Sequence, residues 1–563
     1  MTVEPRPPET VMRLECMGAA HQTRLSFMRV LLRHMRREKW RFDRPVWNID
    51  DNGVGTAVYR AIGPRRTYSL VAFAHDLPDD MRSDRVIATA WDATFTLFDG
   101  TPTDVDIERL RKNVPLQEAG RVSDSELSLS RANRSVRLWD HVVGRLASGH
   151  QPDREMIESV GYLMRTTAVY GSGKFGAADF SILAGRDILG GPFRAEMLAV
   201  YLIRCFSLDL IEHLAERKGG VDAVCLYPDI RRMLGIGNST GLGMAPFLVN
   251  HPGLLNAWIT ARETALANVR NIERASPDEI QVFQNYLARA CTLVDFWGTS
   301  HEAQANRVVG LQSDLDNLRR HIASEGLVVR NPWDSLYRWA ADNLSVEAQE
   351  LVASLVLEPY GDLIDELAEY MSVDETEFFQ IDASRSVGEL RSLIETRYLW
   401  AGNPDYEAPY HSARFWYVSV AKLEPRLGER YDEPGADREQ PLDIGRQAAR
   451  LAKDLGQWPE NASIADFLAS HPEHRRIIRR AQIAISAPYS EIRDNLICST
   501  LSPIDMLRCK LSFFGATRFD PRSDRWVRIT MYQNAPFPHE LFAMPEDDWV
   551  YPEIPDHGGR TAA

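Results

Sequence analysis

The chain has 563 residues, 44% hydrophobic and 26% charged, with a formal net charge of −14. That length gives core enough for roughly two to four packing units, and the composition excludes disordered and collagen-like chains. The acidic balance disfavours a nucleic-acid binder, whose affinity comes from Lys and Arg neutralising phosphates.

Six cysteines, Cys16, Cys205, Cys225, Cys291, Cys498 and Cys509, form no C-x-x-C pair, so no metal site is expected from them. The opening "MTVEPRPPETVMRLEC" has no signal-peptide apolar run, and no stretch approaches a membrane span. A cytoplasmic protein without a membrane partner is the expectation.

In chain order, residues 1–45 centre on an amphipathic helix at 21–40. Leu25, Met28, Leu32 and Met35 recur at helical spacing, and Arg29, Arg33, Arg36 and Arg37 lie opposite as a solvated basic face. Residues 46–102, with "GTAVYRAI", "RTYSLVAFAH" and "TFTLFDG", read as a small antiparallel β-meander turning at "GPRR". His75 and Asp76 fall at one of its strand ends.

Residues 103–423 read as a helical domain. In "PDREMIESVGYLMRTTAVY", Met156, Ile157, Val160, Leu163, Met164 and Thr167 share one helical face, with Gly171 as the expected C-cap. "RAEMLAVYLIRCFSLDLIEHLAERKGG" closes on Lys218, Gly219 and Gly220, a basic last turn followed by glycine stops. Residues 424–443 read as a polar linker or exposed loop. Residues 444–563 read as further helices, a short strand in "RWVRITMYQ" and a frayed tail. The expected fold is thus mainly α (α+β): a large helical body with a small antiparallel sheet near the N-terminus and a short C-terminal strand element.

Two glycine-rich loops carry the chemistry. "VYGSGKFGAADF" holds G-x-G-x-x-G at Gly171, Gly173 and Gly176. A dinucleotide fingerprint needs a strand before it and an acidic strand-end residue about 20 positions on. Here a helix is read before it, and the acid at that distance, Glu196, falls inside a helix. The dinucleotide reading is set aside. Backbone N–H groups around Ser172, with Lys174 and Arg186 near, still suit an anion.

The second loop, "GIGNSTGLGMAPF", offers Asn238, Ser239 and Thr240 after Arg231 and Arg232. The leading expectation is an enzyme that binds a small anionic metabolite, carrying a carboxylate or phosphate, between loops 170–179 and 235–246. His251 would transfer the proton. The residues fix neither the reaction nor a cofactor.

One alternative is a serine hydrolase with Ser239 as nucleophile in G-N-S-T-G, its base a distant histidine such as His411, His471 or His539. That motif needs a strand before the serine and a helix after it, and a helical turn is read before it. The other alternative is a non-catalytic helical protein that docks a partner through the basic helix at 24–41. "HPEH" offers His471 and His474 at i, i+3 after a helix, read as two exposed histidines at a helix start with no third ligand nearby, and "SHEAQA" has Ala305 where a zinc protease needs histidine, so no metal is expected. Cys509 reads as a core cysteine. No motif points to a known family.

Overall fold

The computed structural model describes residues 2–78, 90–115, 123–166, 189, 191, 193–238, 249, 251–295, 297, 302–371, 376, 379–404, 406, 415–418, 425–428, 437–438, 444–493, 503–515, 518–520, 528–543 and 549–551. The chain divides into two compact units. The first comprises Met1–Leu25, Leu242–Ser512 and Pro521–Val527; the second comprises Ser26–Gly241, Phe513–Asp520 and Arg528–Ala563.

The described strands are β1 (Arg41–Ile49), β2 (Gly55–Ile62), β3 (Thr67–Ala74), β4 (Ala93–Asp99), β5 (Glu126–Arg134), β6 (Tyr162–Thr166), β7 (Gly235–Asn238), β8 (Phe415–Val418), β9 (Pro425–Gly428), β10 (Asp437–Arg438), β11 (Arg518–Asp520) and β12 (Arg528–Met531). In the first unit, β8–β10 make a three-stranded sheet in the order β10-β8-β9. The second unit is built on one nine-stranded sheet, β1-β2-β3-β4-β5-β6-β7-β12-β11. Its neighbours are antiparallel except β6 and β7, which run parallel.

The chain is mainly helical, but the small antiparallel sheet expected from sequence is corrected to this large mixed one. The region read as all-helical contributes β5, β6 and β7 to it. The reason is local. Tyr162–Thr166 continues the helical spacing of the residues before it, but Gly161, at φ 76°, ends that helix in the left-handed region and the chain leaves as a strand. Runs of four or five residues fit either period, so periodicity alone cannot assign them.

In the second unit the helices are α1 (Phe27–Arg37), α2 (Asp104–Asn113), α3 (Leu138–Ala147), α4 (Arg154–Val160), α5 (Arg194–Gly219) and α6 (Pro228–Met233). Helix α2 starts from a capping box in which Thr103 and Asp106 satisfy each other's backbone N–H. It lays Ile107 and Leu110 on Val58, Val71, Phe73, Phe98 and Leu129 of the sheet. The rings of Trp47, Tyr59 and Phe95 meet Phe206 of α5, that of Phe95 at 5.4 Å. Helices on both faces explain why β3 is buried almost throughout. Every residue of α5 from Arg194 to Leu208 is buried, so α5 is a core helix instead of an amphipathic surface one. In α1 the apolar stripe is buried as expected, but Arg29 is also fully buried and does not join a basic surface.

The first unit holds α7 (Pro252–Arg270), α8 (Pro277–Asp295), α9 (Glu302–Glu325), α10 (Pro332–Asn343), α11 (Val346–Leu355), α12 (Val387–Arg397), α13 (Ile444–Leu455), α14 (Ile464–Ser470), α15 (Arg475–Ser486) and, up to Ser512, α16 (Pro503–Phe514). Its N-terminal segment is pinned by charge. Arg6 grips Glu263 of α7 at 2.8 Å and Glu350 of α11 at 2.6 Å, all three side chains buried. No described helix is long and apolar enough to cross a membrane.

Candidate functional site

Strands β6 and β7 are joined through α5, a strand–helix–strand crossover between parallel neighbours. The register sets Tyr162 against Gly235, Met164 against Ile236 and Arg165 against Gly237. The glycine-rich segments that follow Thr166 and Asn238 therefore leave the same end of two adjacent strands, whose axes lie about 4.8 Å apart. Periodicity did not separate β6 from the helix before it, and this juxtaposition could not be read without that strand.

Packing dictates the glycines of β7. A Cβ on Gly237 would lie 2.6 Å from the Tyr162 ring, and one on Gly235 would lie 2.5 Å from the Met531 carbonyl. Glycine lets β6 and β12 close on β7 from both sides. On the far side, β12 pairs Ile529 with Asn238 and Met531 with Ile236.

The start of β7 is clasped by Arg204 of α5, a fully buried guanidinium. Its Nε donates to the Leu234 carbonyl at 2.9 Å, Nη1 to Ala535 at 2.8 Å and Nη2 to Arg232 at 2.9 Å. The Phe537 ring lies 4.1 Å from its cationic carbon. Burial lowers its pKa to about 10, so it stays charged at neutral pH. Tyr201 donates to the Pro536 carbonyl and Tyr532 to that of Met197, each at 2.9 Å. Sequence reasoning passed over Arg204, though a lone arginine within "LAVYLIRCFSL" was a signal: such a charge in a core helix must find partners.

Of the residues expected to bind an anion, Gly171, Ser172, Gly173, Lys174, Gly176, Arg186 and Thr240 lie outside the described residues, as does Ser239. Asn238 ends β7 with its backbone in the ladder. His251 heads α7 in the first unit, partly buried, with its carbonyl accepting from the Leu255 N–H.

The basic neighbours of the second loop have internal duties. Arg231 pairs with Glu212 and, at 2.6 Å, with Asp209, which raises its pKa against the opposing effect of burial. Arg232 reaches the Asn534 carbonyl at 3.3 Å and Glu540 at 3.8 Å.

The two grounds for setting aside a dinucleotide fare differently. A strand, not a helix, precedes the first loop, which corrects the first. The second stands, because Glu196 lies buried in the first turn of α5 and not at a strand end. The ground against a nucleophile elbow is likewise corrected. Helix α6 does precede the motif, but β7 intervenes and ends on Asn238, directly before Ser239.

Among the suggested bases, His411 lies outside the described residues and His471 belongs to the first unit, beside Glu473. His539 stacks on Phe537 in the segment that lies against the start of β7. Comparison with protein-family models, characterised proteins and solved structures finds no match.

Proposed function

We propose that this chain is an enzyme that binds a small carboxylate- or phosphate-bearing metabolite at the carboxyl ends of β6 and β7. The parallel pairing of these two strands is the observation that carries the reading, because it starts both glycine-rich segments side by side. The carboxyl end of parallel strands is where open sheets with helical crossovers bind ligands, since successive segments and their backbone N–H groups converge there. Lys174 and Arg186 supply the positive charge in this reading. Ser172, Asn238 and Thr240, with the backbone at Gly171, Gly173 and Gly176, supply hydrogen bonds.

The experiment is ligand-dependent melting of the full chain against inorganic phosphate, nucleotides and organic acids. A ligand at 100 times its Kd adds about 2.7 kcal/mol to the folded state. The expected result is a rise in Tm with at least one anion that is lost in Lys174→Ala. No rise with any anion, or an equal rise in the variant, overturns the reading.

One observation favours a second reading, acyl transfer with Ser239 as nucleophile: β7 delivers the chain directly to that serine. A fluorophosphonate probe is expected to label the wild type and not Ser239→Ala. Labelling that survives the substitution removes the serine from consideration.

A further inference from the structure

The tightest convergence of metal-ligating groups among the described residues lies in the first unit, outside the proposed anion site. Asp454 is the last residue but one of α13, His471 follows α14, and Glu473 and His474 occupy the single turn that leads into α15. One ligand atom from each lies within 4.8 Å of the others. His474 is buried and its Nε2 meets Asp454 Oδ2 at 2.7 Å, while His471 Nδ1 meets Glu473 Oε1 at 3.2 Å.

Neither ring hangs free. Phe467 of α14 lies against both imidazoles, 4.9 Å from His471 and 5.8 Å from His474, with interplanar angles of 25° and 16°. The indole of Trp458 meets His471 edge-on at 6.0 Å. Supporting side chains of this kind fix ligand rotamers before a metal arrives.

We propose that these four side chains form a zinc site that ties the end of α13 to the α14–α15 junction. Two imidazoles with two carboxylates make an N₂O₂ set. Imidazole favours Zn²⁺ over Ca²⁺ and Mg²⁺, which take oxygen ligands. With Zn–N and Zn–O near 2.0–2.2 Å, tetrahedral ligand atoms stand about 3.4 Å apart. The present separations reach that arrangement by shifts of roughly an ångström. In it the metal takes the place of the proton shared between each imidazole and its carboxylate. Four protein ligands close the coordination shell, the pattern of structural zinc. Glu473 is exposed and Asp454 and His471 half-exposed, so the metal has a path in from solvent. The sequence showed His471, Glu473 and His474 side by side and hid the fourth ligand, because Asp454 stands on another helix.

The test is isothermal titration of chelator-treated full-length protein with Zn²⁺, repeated with Co²⁺ to read its visible absorption. The expected result is one equivalent of Zn²⁺ per chain, intense visible Co²⁺ bands of a tetrahedral N/O site, and no displacement by excess Ca²⁺ or Mg²⁺. His471→Ala and Asp454→Ala each weaken Zn²⁺ at least tenfold. Glu473→Gln, at an exposed position that does not threaten folding, weakens it by a smaller factor and alters the Co²⁺ spectrum. Wild type that takes up no Zn²⁺, or binds it no more tightly than these three variants, overturns the proposal.

Discussion

Arg204 and Leu234 are joined by a hydrogen bond of 2.9 Å from a fully buried guanidinium to the carbonyl just before β7. That bond and its two companions fix where β7 starts. Arg204→Met leaves three carbonyls short of their donor. It is expected to cost about 3–5 kcal/mol, since each hydrogen bond from a charged donor is worth roughly 1.5–3 kcal/mol. Arg204→Lys recovers only part, because an ammonium cannot reproduce the planar fork. Urea denaturation monitored in both variants checks this, with the midpoint lowered and the slope unchanged.

Gly237 has no side chain because the Tyr162 ring occupies the space. Gly237→Ala should destabilise by about 1–3 kcal/mol, the usual cost of overpacking. Shortening the ring relieves the clash, so the double variant with Tyr162→Ala should lose less than the two single losses added together. A double-mutant cycle measures the coupling. Additive losses would show that the two residues do not compete for one volume.

The Arg6–Glu263 pair makes acid stability testable. Burial alone would raise the Glu263 carboxyl, but the neighbouring Arg6 and Arg262 guanidiniums overcome it and lower the pKa from 4.5 to about 2. An acid held below its unfolded-chain pKa contributes stability that is complete above 4.5 and is lost as pH falls through 4.5 towards 2. The contribution is about 3 kcal/mol at neutral pH. Glu263→Gln should therefore be less stable at pH 7 and show a flatter fall in stability through that window. Denaturation midpoints collected from pH 6 to pH 2 read both effects.

Thiol reactivity should follow burial. Cys16, Cys205 and Cys509 are buried, and desolvation pushes each thiol up to about 12. Cys225 is exposed, with burial raising it less. Iodoacetamide at neutral pH, followed by peptide mass spectrometry, should modify Cys225 well before those three, which react only once the chain unfolds.

The sequence announced what was long and well punctuated. Helix α5 was readable from its length and its Lys218–Gly219–Gly220 ending, and the "GPRR" turn lies between β2 and β3. The extent of the sheet was not readable. β6 is five residues in step with the helix before it, and β7 is four residues, two of them glycine, chosen to fit Tyr162 and Met531. Such strands exist because tertiary neighbours demand them, and local propensity carries no trace of that demand. For the same reason the sequence placed two suggestive loops in one chain without indicating that adjacent parallel strands launch them. The fate of Arg231 was equally hidden, since its acidic partners Asp209 and Glu212 stand on α5.

The central claim is that the segments after β6 and β7 share one ligand. Hydrogen–deuterium exchange reads it directly, comparing the free protein with protein saturated by whichever anion raises Tm. Slower exchange in both 167–179 and 239–246, absent from Lys174→Ala, is the result the account predicts. Protection confined to one of these segments, or lying elsewhere in the chain, contradicts it.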